Sequence, residues 1–131
     1  MARAPGKFAL VMIDVDGLKE VNDAQGHARG DALLCSFARE FAAVFAGGEV
    51  YRMSGDEFAV VVAGDGAGAD DAVATVVRRV ALEFPEAAAS AGCQAHAPGL
   101  SASELLRAAD RAMYVRKEAS RTSRRARTSH A

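Results

Sequence analysis

At 131 residues the chain is long enough for one compact domain and too short for two of ordinary size, and hydrophobic residues make up 50% of it, enough to build a core. A formal net charge of -1 excludes a global field that would draw nucleic acid or an anionic membrane. Cys35 and Cys93 lack metal-ligand spacing and read as reduced thiols of a cytoplasmic protein, with neither a signal peptide nor a membrane-length apolar run in the sequence.

Residues 1–7 form a short lead with Pro5 and Gly6, followed by an apolar strand over 8–16. A short helix is predicted over 18–24, closing near Gly26. Residues 28–45 carry Leu33, Leu34, Phe37, Phe41, Val44 and Phe45 at helical period, and Gly47-Gly48 stops that helix. A hairpin follows, turning at Gly55-Asp56 and leaving on Phe58 to Val62, because glycine supplies the backbone freedom a two-residue turn needs. After a glycine-rich loop over 64–68, Asp70 or Asp71 is expected to cap a helix with Val73, Val76, Val77, Val80 and Leu82 inward, ended by Pro85. Residues 87–95 are an alanine-rich strand. Ser101 or Ser103, with Glu104, starts a last helix that carries Leu105, Leu106, Ala109, Met113 and Tyr114 inward to about 118. From Ser120 onward the chain is polar and basic, and a mobile tail over 122–131 is expected. The order β-α-α-β-β-α-β-α implies an α+β sandwich whose helices lie on one side of the sheet.

Two acidic sites stand out. Asp14 and Asp16 are two apart on a strand and so share a face, and Asp56 and Glu57 stand at the hairpin tip. If their strands are neighbours, these acids can close on a hard cation such as Mg²⁺; alone, the hairpin is an ordinary polar turn. A calcium loop starting at Asp14 fails, because its fifth and sixth positions would be Leu18 and Lys19 rather than an oxygen ligand and glycine.

Five segments together carry a resemblance: DVDGLKEVND from Asp14, GHARGD from Gly26, RMSGDEF from Arg52, SAG at 90–92 and ADRAMYVRKEASR from Ala109. In order and near spacing they resemble the GGDEF family of diguanylate cyclases, which condense two GTP into cyclic di-GMP with release of pyrophosphate, and they span 8–121. The resemblance implies a ferredoxin-like, palm-like nucleotide-cyclase sandwich with a mixed, largely antiparallel sheet and flanking helices. It makes Asp14, Asp56 and the Val15 carbonyl ligands of Mg²⁺, or alternatively Mn²⁺. Glu57 becomes a second ligand or proton acceptor, and Asp16 a structural hydrogen-bonding neighbour. It places Lys19 on the phosphoryl group in transfer, and Leu18, Asn22, His27, Asp31 and Gly55 around the bound GTP. Asp31 suits guanine, since a carboxylate can accept from both N1–H and N2–H; by itself it also reads as a helix cap before Ala32. Lys117 and Arg121, four apart, become ligands of the β- and γ-phosphates, although two cations at a helix end are also favourable dipole chemistry. Implied partners are a second copy, each subunit holding one GTP, and a sensory or regulatory domain, with no nucleic acid or membrane contact.

The sequence departs from the family at several places. Ser54 replaces the first signature glycine, and Ser120 and Thr122 replace the usual Gly and Asn. An Arg-x-x-Asp that binds product in many members would fall on Phe45 and Gly48, so no product-inhibition site is expected. The family's preceding helix with its LTGLxNR-like segment comes before the point where this sequence begins. The rival reading is therefore a catalytically silent GTP-binding regulatory module, with another palm-like nucleotidyltransferase as a third.

Overall fold

The computed structural model describes residues 7–128, and of 121–128 the backbone alone. Strand β1 (Phe8–Asp16) occupies the middle of the molecule, and Ala9, Val11, Ile13 and Val15 on it are fully buried. It pairs antiparallel with β3 (Glu57–Ala63) on one side and β4 (Ala88–Ala95) on the other, while β2 (Glu49–Ser54) pairs antiparallel with β3, giving the order β2-β3-β1-β4. The sheet is thus antiparallel throughout rather than mixed.

Helices cover both faces. On one face Val11, Ile13 and Val15 meet α2 (His27–Val44) through Leu33, Phe37 and Phe41, and α3 (Ala69–Ala81) through Val73, Val76 and Val80. On the other, Leu10, Met12 and Ala59 meet Leu105, Ala109 and Met113 of α4 (Ala102–Thr128). The expectation of helices on one side is therefore corrected. The continuous apolar run of β1, in place of alternation, is the mark of a strand buried on both faces. Gly92 permits the closest approach, since a Cβ there would run into the α4 backbone at Ala109, Ala112 and Met113.

Helix ends differ from expectation in instructive ways. The N-cap of α3 is Gly68, so Asp70 and Asp71 lie inside the first turn, where they complement the helix dipole rather than cap it. The helix ends at Ala81, leaving Leu82 88% exposed and outside the core. Ser101 does cap α4: its hydroxyl accepts from the Glu104 N–H at 3.1 Å, and the Ser101 N–H donates to the Glu104 carboxylate at 3.0 Å. Leu106 and Tyr114 of α4 are exposed, so the stripe facing the sheet is narrower than its apolar content suggested. This helix runs to Thr128, past 118 and through much of the stretch expected to be a mobile tail. Phe45 closes α2 and is buried, its carbonyl accepting from the Gly48 N–H at 2.8 Å. No helix among the described residues is long and apolar enough to cross a membrane.

Candidate active site

The alternation of β1 decides where its acids point. Leu10 and Met12 face α4, so Asp14 and Asp16 continue that row, and Asp14 stands directly opposite Glu57 in the antiparallel register. The β2–β3 hairpin closes between paired Ser54 and Glu57, with Gly55 at φ 42° and a bulge between Arg52 and Ser54. Arg52 holds this turn: its Nε and Nη2 donate to the Gly55 carbonyl at 3.0 and 2.8 Å. The Val15 N–H donates to the Asp56 carbonyl at 2.9 Å, stitching the turn to the end of β1. Asp56 is thereby placed near enough to Asp14 for their charges to act on each other.

This crowding shows in the acidities. Partial burial, and next the Asp14 charge, push the Asp56 carboxyl above the usual carboxylate range, with Lys117 opposing. Glu57 is also raised, by burial first and then by the charges of Asp110, Asp14 and Asp56. Lys117 supplies the compensating charge from α4. Its Nζ donates to Asp14 Oδ2 and lies 3.5 Å from Asp16 Oδ1. Burial works against the Lys117 charge, but the two carboxylates outweigh it and raise its pKa. Side-chain exposures of 15% for Lys117 and 13% for Asp14 distinguish this pair from the surface ion pairs, where solvent screens most of the attraction. Asp16 makes an ion pair with Lys117 as the neighbour of the acidic site.

Sequence reasoning does not single out Asp110, although it lies seven residues before Lys117 and so on the same helical face. It also misses Arg52, because nothing in its spacing signals a bond to the turn three residues on. Lys19 is not brought to the acids: it is exposed on α1 (Leu18–Gln25) and bonds Asp23 at 2.8 Å. The Arg121 side chain lies outside the described residues; its backbone continues α4 one turn past Lys117, which places Lys117 within the helix rather than at its C-terminus.

The α1–α2 hairpin carries a second group. Asn22 Oδ1 is buried and has no hydrogen-bond partner, an arrangement that costs free energy unless something donates to it. It lies against Gly30, where a Cβ would collide with the Asn22 side chain and meet Leu18 Cδ1 at 3.1 Å. His27 is exposed as the first residue of α2. Asp31 lies in the second turn of α2, which removes the cap reading, and lines a cleft of about 490 Å³ with Leu34, Cys35, Arg52 and Phe58. Arg52 thus touches both the acidic turn and the cleft of Asp31. A wider cleft of about 860 Å³ opens between the start of α3 and α4 along β4, but it holds none of these acids. Charge, and not volume, marks the site.

The donor set fits a small hard cation. Asp14 offers carboxylate oxygens from near the end of β1 and Asp56 from the hairpin turn bonded to the Val15 main chain, and Mg²⁺ prefers such ligands. Among the described residues no group of three or more His, Cys, Asp or Glu side chains is placed to hold a metal by itself. Two carboxylates would leave the remaining shell to water and substrate oxygens, as Mg²⁺ commonly requires.

Comparison with known proteins agrees with this geometry. Residues 1–123 match the family model described as diguanylate cyclase, GGDEF domain. The chain is 35% identical over 124 residues to the bifunctional diguanylate cyclase/cyclic di-GMP phosphodiesterase MucR of Pseudomonas aeruginosa, covering 88% of this chain and 18% of that protein. It is 30% identical over 113 residues to the diguanylate cyclase DgcM of Escherichia coli, covering 82% of this chain and 28% of that protein. The chain therefore spans under a third of the length of these relatives. Among solved structures, the active GGEEF domain of a diguanylate cyclase from Vibrio cholerae superposes with a TM-score of 0.75 at 26% identity, covering 86% of this chain and 78% of that one.

Proposed function

The chain belongs to the GGDEF family of diguanylate cyclases, and from that premise we propose that it binds GTP and, as a homodimer with one GTP per subunit, condenses two GTP into cyclic di-GMP and pyrophosphate. The observation that carries this reading is the meeting of Asp14, Asp56 and Glu57 around the β1 end and the hairpin turn, with Lys117 as their counter-charge.

Each residue then has a task. Asp31 accepts from guanine N1–H and N2–H, and Asn22 Oδ1, buried and unpartnered, takes a donor from the base. Leu18 and Gly55 border the nucleotide, with His27 at the rim. Asp14, Asp56 and the Val15 carbonyl would hold Mg²⁺ or Mn²⁺, which lowers the pKa of a 3′-hydroxyl and neutralises triphosphate charge when bound. Glu57, its pKa already raised, is suited to accept the hydroxyl proton. Lys117 exchanges Asp14 and Asp16 for the β- and γ-phosphates when the nucleotide arrives, joined by Arg121. Lys19 turns from Asp23 to the transferring phosphoryl group. Such a domain works in the cytoplasm, where GTP is made, under a sensory or regulatory partner domain.

A second reading, a GTP-binding module without turnover, is favoured by the engagement of both Lys19 and Lys117 with carboxylates. Incubation with GTP and Mg²⁺, followed by chromatographic separation, decides between them. Cyclic di-GMP is the expected product; GTP bound but recovered intact would establish the silent module.

Product feedback through the Arg-x-x-Asp position is absent on this reading. Phe45 is committed to the core, and a side chain at Gly48 would come within 2.9 Å of the Val61 carbonyl oxygen. Calorimetric titration with cyclic di-GMP should show no tight binding at this place; binding abolished by substitutions around Phe45 and Gly48 would contradict it.

A further inference from the structure

The α1–α2 junction holds Asn22, His27 and Asp31, yet little local structure fastens it. Gly26 caps α2 without any side-chain bond, and the main-chain bonds at the junction include Gly26 N–H to Asn22 O at 2.9 Å and Gly30 N–H to Gly26 O at 3.2 Å. Val21 anchors the α1 side in the core, and Arg29 adds a polar side-chain tie from the junction itself to the body of the domain. Arg29 Nη1 bonds Glu83 Oε2 at 2.8 Å, and its Nε donates to Gln25 Oε1, the last residue of α1, at 3.3 Å. The guanidinium also lies 4.2 Å from the ring centroid of Phe84, which is buried. Glu83 and Phe84 belong to the connection between α3 and β4. That same connection backs the start of α1, where a Cβ at Gly17 would come 2.9 Å from the Glu86 carbonyl oxygen.

We propose that Arg29 is a positioning residue for the nucleotide site: it clamps the α1–α2 junction onto the α3–β4 connection and so presets the spacing of Asn22, His27 and Asp31. The inference rests on the nucleotide-binding reading above, but the clamp itself is a property of the apo fold. Arginine suits it because one planar group can stack on a ring while forking between two acceptors, which lysine cannot reproduce. The clamp holds the guanine end of the site, so its loss should weaken GTP and GDP alike.

The test is Arg29→Ala, with Arg29→Lys and the swap Arg29→Glu/Glu83→Arg as rescues. Amide hydrogen exchange at 26–31 should accelerate in Arg29→Ala while β1 and α3 stay protected. The dissociation constants for GTP and GDP, measured with Mg²⁺, should rise together by roughly tenfold, with kcat at saturating GTP little changed. The lysine variant and the swap should each recover part of the loss. Unchanged exchange at 26–31, or exchange accelerated equally everywhere, would overturn the clamp. Exchange needs no nucleotide, so a parent protein that fails to bind GTP would count against the nucleotide reading, and exchange would still decide the clamp.

Discussion

Asp56 is held where its own charge is unwelcome. Burial and the neighbouring Asp14 raise its pKa, and a carboxyl whose folded pKa lies above its unfolded value adds stability at low pH that is lost as pH rises through the folded value. At neutral pH the ionised Asp56 therefore strains the fold. Asp56→Asn should abolish cyclic di-GMP formation yet raise the Tm at pH 7, and the gain should shrink as pH falls below the carboxylate range. Melting curves at several pH values check this; a lowered Tm at pH 7 would show that the carboxylate is stabilising. Asp31 makes the opposite kind of test, since it is exposed and free of the core. Asp31→Ser should erode the preference for GTP over ATP by about 1–3 kcal/mol, the value of a lost hydrogen bond to a charged group. Side-by-side affinity measurements decide it, and an unchanged ratio would remove Asp31 from guanine recognition.

At the scale of elements, α4 is the piece that joins stability to the site. Its stripe of Leu105, Ala109 and Met113 packs on the sheet, and one turn later the same helix delivers Lys117 to Asp14. The seating depends on Gly92, the point where the α4 backbone lies directly over β4. Gly92→Val forces the helix away and should destabilise the protein by about 1–3 kcal/mol, by overpacking against main chain that cannot rotate aside. The same shift moves Lys117 from Asp14, so nucleotide affinity should fall as well. Denaturant unfolding and GTP binding on one sample measure both, and a variant of parental stability would refute the packing argument.

At the scale of the whole molecule, the acids, Lys117 and Asn22 all belong to one chain, whereas the proposed cyclic dinucleotide product needs two 3′-hydroxyls and two α-phosphates. On the proposed function each subunit would hold one GTP, so turnover should require association. Specific activity should rise with protein concentration and level off as dimer saturates; constant specific activity down to concentrations where the protein is monomeric would refute the two-site arrangement.

The sequence by itself determined the elements, their order and most of the core, because apolar period, glycine stops and the Ser101–Glu104 cap are local chemistry. It also determined that Asp14 and Asp16 share a face, since alternation is a property of any strand. What it left undecided depended on contacts between distant segments. Only the tertiary structure set Asp14 opposite Glu57, turned Lys117 onto Asp14 across 103 residues of sequence separation, and pinned the Gly55 carbonyl with Arg52. Only the packing of α4 on the second face showed that the apolar run of β1 serves two cores. The physical reason is that register and burial are settled by the sum of contacts from every neighbouring element, which no single stretch of sequence contains.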